Sequence, residues 1–165
     1  MSLRPKLDRL DFRILAHLQD NGRITNVDLA DAVGLSPSPC LSRVKRLEKH
    51  GYITGYGAMV ALAKLGSTLT VFTEVTLSDH RSGDFSRFEQ RAKGVPEIVE
   101  AHLVSGGYDY LLKFVCRDVS HYQEVIESIL ERDFGIEKYF SYIVIKSAVI
   151  SRRPSIEALF DDRME

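Results

Sequence analysis

An α+β chain in two parts is what the sequence predicts, and three observations carry that reading. Residues 1–51 hold three short amphipathic stretches at helical spacing, each bounded by capping residues. After residue 66 the apolar positions alternate between a period of two and a helical period, in the order β-α-β-β-α-β. The charge also changes sign between the parts. Residues 1–51 carry nine Lys and Arg against six Asp and Glu, whereas residues 52–165 carry thirteen against seventeen. The basic part is the one expected to meet a polyanion.

The first stretch, "LDRLDFRILAHLQDNG", places Leu10, Ile14, Leu15 and Leu18 on one stripe. Asp8 is its expected N-cap, Asp11 adds a favourable charge to the first turn, and Asn21-Gly22 ends it. The second, "TNVDLADAVG", is capped by Thr25, with Asp28 reaching back from the third helical position, and Gly34 stops it. Barely two turns long, it requires neighbours to be stable.

The third stretch, "LSPSPCLSRVKRLEKHG", opens with two prolines. With Ser36 as N-cap, Pro37 falls at the first helical position and Pro39 at the third. The first N–H groups of a helix have no intrahelical acceptor, so neither proline removes a bond; together they fix the start and stiffen the first turn. At 100° per residue, Cys40, Leu41, Val44 and Leu47 cluster inward. Ser38, Ser42, Arg46 and Lys49 project outward, flanked by Pro39, Arg43 and Lys45. Small hydroxyl donors can approach base edges while Arg and Lys engage phosphates, so this face suits DNA. A solvated charged face is the plainer alternative. Three short helices with Gly34-Leu35 in the last turn match the helix-turn-helix motif, whose second helix enters the major groove.

Residues 52–66, beginning "YITGYGAMVAL", read as a strand-like connector broken by Gly55 and Gly57, with Ile53 packing back on the helices. In residues 67–150, "LTVFTEVTL" sets Leu69, Val71, Val75 and Leu77 on one face of a strand. "GDFSRFEQRAKG" is a helix with Phe85, Phe88 and Ala92 inward. "EIVEAHLVS" and "YDYLLKFVC" are strands joined at Gly106-Gly107, a two-residue hairpin signal. "SHYQEVIESILERDFG" turns Tyr122, Val125, Ile126, Ile129 and Leu130 inward, and "KYFSYIVIKSAVI" is a final long strand. The order is ferredoxin-like, with two helices on one face of the sheet. The bare face needs a cover, which points to dimerisation. Residues 151–165, containing Arg152-Arg153, form a tail packed on the domain or frayed.

Several classes are set aside. The chain has 165 residues, 44% hydrophobic and 27% charged, the composition of an ordinary globular protein. It has no run of about 18 apolar residues, so no membrane partner is expected, and no secretory signal is visible at the amino terminus. Cys40 and Cys116 lack a CxxC spacing and read as packed thiols in a reducing compartment, which places the chain in the cytoplasm. His17, His50, His80, His102 and His121 show no metal-site spacing, and no nucleotide-loop or nucleophile motif occurs. Neither a metal, a cofactor nor catalysis is expected.

The string "LDRLDFRILAHLQDNGRITNVDLADAVGLSPSPCLSRVKRLEKHGYITGY" closely resembles the amino-terminal domain of the Lrp/AsnC, or feast/famine, transcription regulators. The resemblance continues through "AHLVSGGYDYLLKF" and "SYIVIK", and covers roughly residues 7–150. It implies a winged helix-turn-helix domain reading a pseudo-palindromic operator in double-stranded DNA, with recognition helices roughly 34 Å apart. Ser36, Ser38, Pro39, Ser42, Arg43 and Arg46 would meet the groove, with Arg23 and Lys45 nearer phosphate. It also implies homodimers assembled further, often to octamers, regulation of amino-acid metabolism, and a free amino acid bound between dimers.

The loop "VSGGYD" resembles the family's effector hairpin. An amino acid needs an anionic acceptor for its ammonium and clustered N–H donors for its carboxylate. Asp109 suits the first, and the Gly106-Gly107 backbone the second, with hydroxyls from Ser105 and Tyr108. The resemblance adds Tyr139, Ser141 and Tyr142 of the last strand, with Leu103 and Val144 as apolar walls. A plain turn, in which Asp109 bonds local backbone, is the simpler reading of the same residues. Gly107 stands where leucine-responsive members often carry a polar residue, which leaves the effector's identity open. The rival from another class is an amino-acid sensor or enzyme-regulating subunit whose amino-terminal helices contact protein; its binding would be insensitive to salt.

Overall fold

A computed structural model describes residues 6–151 and 153–160; Arg152 and the tail beyond residue 160 lie outside them. The chain divides into two compact units, residues 1–59 with 149–165, and residues 60–148.

In the first unit, α1 (Arg9–Asp20), α2 (Asn26–Val33) and α3 (Pro37–Lys49) pack around Ile14, Leu29, Ala30, Val33, Cys40 and Leu47. Asp8 and Asp11 form a capping box on α1: the Asp11 N–H donates to Asp8 and the Asp8 N–H to Asp11. Thr25 accepts from the Asp28 N–H at the start of α2, and Gly34 ends it at φ 75°, a left-handed conformation that only glycine takes cheaply. Ser36 is the N-cap residue of α3, with Pro37 at the first helical position, although its side chain makes no capping bond. Leu41 departs from the expected inward set and is 42% exposed. It lies about 100° round the helix from Cys40, at the rim of the buried stripe. A short α6 (Ile156–Phe160) from the tail returns to this unit and sets Phe160 against Phe12, ring centroids 6.0 Å apart.

Residues 54–61 carry no strand ladder among the described residues, and a 3₁₀ turn, Leu62–Lys64, comes next. The expected strand-like character finds no partner within one chain, and an unpaired extended segment is not a strand.

The second unit is a four-stranded antiparallel sheet of order β2-β3-β1-β4, from β1 (Leu69–Leu77), β2 (Ile98–Leu103), β3 (Tyr110–Cys116) and β4 (Ile136–Ile143). Helices α4 (Ser82–Ala92) and α5 (Val119–Glu131) cover one face, where Val71, Val75, Phe88, Leu112, Phe114, Ile126 and Ile129 are buried. Three expectations are corrected here. The hairpin is not a two-residue turn: Val104 N–H donates to the Asp109 carbonyl at 2.9 Å, leaving four residues, 105–108, in the loop. β4 stops at Ile143, short of the expected long strand: its register with β1 ends at Val71–Ile143, and one further bond, from the Val144 N–H to the Thr70 carbonyl, closes the ladder. Leu130 is 40% exposed, since it falls just past the edge of the α5 stripe.

Candidate functional site

The exposed face of α3 carries Ser38, Pro39, Ser42, Lys45 and Lys49. With prolines at its first and third positions, the first turn offers Ser38 as its sole backbone donor among residues 37–39. Asn26 at the start of α2 donates from Nδ2 to the Pro37 carbonyl at 2.8 Å, fixing that turn to its neighbour. Ser36 is exposed beside it, and Arg23 is exposed in the α1–α2 turn. Lys45 and Lys49 make no ion pair among the described residues.

Arg43 and Arg46 are placed differently from the outward projection expected of them. Both turn toward α1. Arg43 Nη1 donates to Asp8 at 2.7 Å and to Asp11 at 2.8 Å, and Arg46 Nη2 donates to both Asp11 oxygens at 2.7 and 2.6 Å. The Asp11 side chain is fully buried. At roughly 60° and 120° from Cys40 round the helix, these long side chains flank the apolar stripe and curl back over it. Partial burial pushes the Asp8 carboxyl up, but bonds from Arg43 and the Asp11 N–H outweigh it and leave it lowered; the same pairing raises Arg43 further. A buried carboxylate deprived of a partner typically costs about 3–5 kcal/mol, so the cluster holds α3 to α1 firmly.

In the second unit, Asp109 occupies the base of the hairpin. Its N–H donates to the Val75 carbonyl at 2.9 Å, while its carboxylate accepts the Leu77 N–H at 2.7 Å. One residue thus supplies the next rung of the β1–β3 ladder after the backbone of β3 has turned away. His80 Nε2 lies 3.0 Å from the same carboxylate, whose side chain is 17% exposed. Gly106, at φ 154°, and Gly107 form the exposed tip with Ser105.

The register separates the other effector candidates. Leu103, Tyr110, Val75 and Tyr139 form one row across the helix-covered side, and Ser141 pairs with Thr73 in the next row. Tyr142 pairs with Phe72 on the opposite, open face, beside the Glu74 carboxylate. Local desolvation, then Glu74 and the nearby Tyr108, push the Tyr142 hydroxyl up. Ser141 is engaged already: its hydroxyl bonds Tyr122, which bonds the buried Thr73 at 2.9 Å. A groove of about 420 Å³ lies between α4 and the β2 edge, lined by Ala92, Lys93, Ile98, Ala101 and Leu103. It includes one candidate, Leu103, and none of the hairpin tip. Val144 hydrogen-bonds Thr70 at the end of β4, away from Asp109.

A model of the Lrp/AsnC ligand binding domain matches residues 70–154. The chain belongs to the Lrp/AsnC family. A model for winged helix-turn-helix DNA-binding domains matches residues 7–54. The chain is 45% identical over 157 residues to the transcriptional regulatory protein DoeX of Halomonas elongata, covering 95% of this chain and 98% of that one. It is 44% identical over 147 residues to the leucine-responsive regulatory protein of Escherichia coli, covering 89% and 90%. Among solved structures, a transcriptional regulator of Neisseria meningitidis in an L-Met complex superposes with a TM-score of 0.85 at 31% identity, covering 93% and 99%. As an Lrp/AsnC chain it is a transcription regulator with a DNA-binding and a ligand-binding unit.

Three contributors in this Lrp/AsnC chain escaped the sequence reading. Arg13 donates to the Ala32 carbonyl at 2.8 Å and so holds the end of α2. His80 reaches Asp109 across 29 residues, and no local pattern announces that contact. Asp11, in contrast, had a signal: it shares the stripe of Ile14, Leu15 and Leu18. An acid on a buried stripe needs a cation or hydrogen-bond donors within reach.

Proposed function

We propose that this chain is a sequence-specific DNA-binding regulator of amino-acid metabolism, acting in the cytoplasm, whose operator affinity is set by a free amino acid. It is no enzyme. The observation that carries the DNA part is the exposed stripe Ser38, Ser42, Lys45 and Lys49 on a helix whose first turn is stiffened by two prolines. Hydroxyls at the tip approach base edges, while the lysines engage phosphate. Arg23 and Ser36 flank that stripe.

The effector reading rests on Asp109, a carboxylate at the base of a glycine-tipped loop; it already accepts the Leu77 N–H and faces His80, and an ammonium would take the place of the exposed His80 contact. The candidates divide between two faces of one chain, so a complete pocket needs another copy to close it. Phe72, Leu111 and Val115 on the open face, with Phe140 52% and Tyr142 51% exposed, supply an apolar surface for a dimer. Dimers then assemble further, to an octamer, with the amino acid wedged between them. By binding one assembly geometry better than another, it shifts the spacing of the α3 helices and so the DNA affinity.

Thermal unfolding against each of the twenty amino acids tests this reading. A ligand at 100 times its Kd stabilises the native state by about 2.7 kcal/mol. One amino acid raising Tm in the parent protein but not in Asp109→Asn is the expected result. No shift with any of them at millimolar concentration would sink the effector assignment.

A further inference from the structure

The buried acid on α1 has a use that bears on how α3 reads DNA. We infer that Asp11 is a positioning residue for the DNA-reading helix, and that Arg43 and Arg46 are its ligands rather than phosphate contacts. The inference rests on the DNA-binding reading above.

Three donors converge on the Asp11 side chain, which is fully buried: Arg43 Nη1 at 2.8 Å, Arg46 Nη2 at 2.6 Å, and the Asp8 N–H at 3.1 Å. Asp8 takes a second bond from Arg43, at 2.7 Å. The two carboxylates and two guanidiniums neutralise one another. Their anchor cannot drift, because the same carboxylates form the capping box of α1. Arg46 Nε is buried without a partner and its Nη2 is turned to Asp11, although the side chain as a whole is 40% exposed. A phosphate that captured either arginine would take from the buried Asp11 carboxylate one of its two cationic partners. The arginines therefore stay, and the charge that meets DNA is that of Lys45, Lys49 and Arg23.

Counting the neutralised phosphates separates the two roles. The protein is titrated with a mixed-sequence duplex of about 30 base pairs over a range of salt, and log K is plotted against log salt. Each phosphate contact adds about 0.9 to the slope. Lys45→Gln and Lys49→Gln should each flatten it by about that amount. Arg46→Gln should weaken binding at every salt concentration yet leave the slope unchanged, and Arg43→Gln likewise. Should Arg46→Gln loosen the fold, the pair Asp11→Asn with Arg46→Gln removes both charges together; it should recover most of the lost affinity with the parent slope. A slope flattened by about 0.9 in Arg46→Gln and in that pair would overturn the inference while leaving DNA binding in place. A parent protein with no salt-dependent binding at all would overturn the DNA reading itself, and this assignment with it.

Discussion

Replacing Asp109 by alanine and by asparagine should give two different proteins. Alanine removes the acceptor of the Leu77 N–H, a 2.7 Å bond at a residue 1% exposed. A buried donor left unsatisfied costs about 1–3 kcal/mol. For a unit of about 90 residues, each kcal/mol moves Tm by roughly 4–8 °C, so the alanine variant should melt on the order of 10 °C lower. Asparagine keeps an oxygen for Leu77 and gives up only the charge. It loses the difference between a charge-assisted and a neutral bond, together with the exposed contact to His80, which is worth about 0–1 kcal/mol. Its Tm should fall by less than half as much. Differential scanning calorimetry of the three proteins without added ligand reads this directly. Equal Tm values for the two variants would refute the idea that the carboxylate supplies a ladder rung. The distinction matters for the effector as well: asparagine withdraws the anion an ammonium needs without unlatching the loop.

Two further outcomes are expected. Tyr122→Phe leaves the Thr73 hydroxyl buried without its partner at 2.9 Å and should cost about 1–3 kcal/mol in urea unfolding. Adding Thr73→Val should restore part of that, and strictly additive losses would refute the hydroxyl chain. Asp8 has a carboxyl lowered in the folded state, so its contribution is present at neutral pH and is lost as the pH drops below about 4. Unfolding midpoints taken down to pH 3 should fall more steeply for the parent than for Asp8→Asn, and parallel curves would count against the Asp8–Arg43 link.

What the sequence made legible was local. Pro37, Thr25 and Gly34 act within one turn of their own positions, and the structure has them where capping chemistry places them. The inward face of β1 followed from its alternation, and Val71, Val75 and Leu77 are all buried. Leu41 and Leu130 failed because a helical wheel treats the edge of a stripe as its centre. Gly106-Gly107 suggested a tight turn, but the Val104–Asp109 pair closes the loop one residue further out on each side. In the site, the exposed serines and lysines of α3 were readable, whereas the inward turn of Arg43 and Arg46 depended on acids more than thirty residues away. The stripe position of Asp11 was the available clue.

The tail changes what it means to cut this chain. The first unit is built from both ends of the sequence, residues 1–59 and 149–165, with the second unit inserted between them. Arg153 Nη1 donates to the Asp20 carbonyl at 2.7 Å, at the end of α1, and Phe160 stacks against Phe12. Two strings therefore join the units where a simple tandem arrangement would have one. A protease nick in the unpaired stretch 54–61 would leave fragments that still travel together, held by the returning tail, and only a second cut near residue 149 would set the DNA-binding unit free.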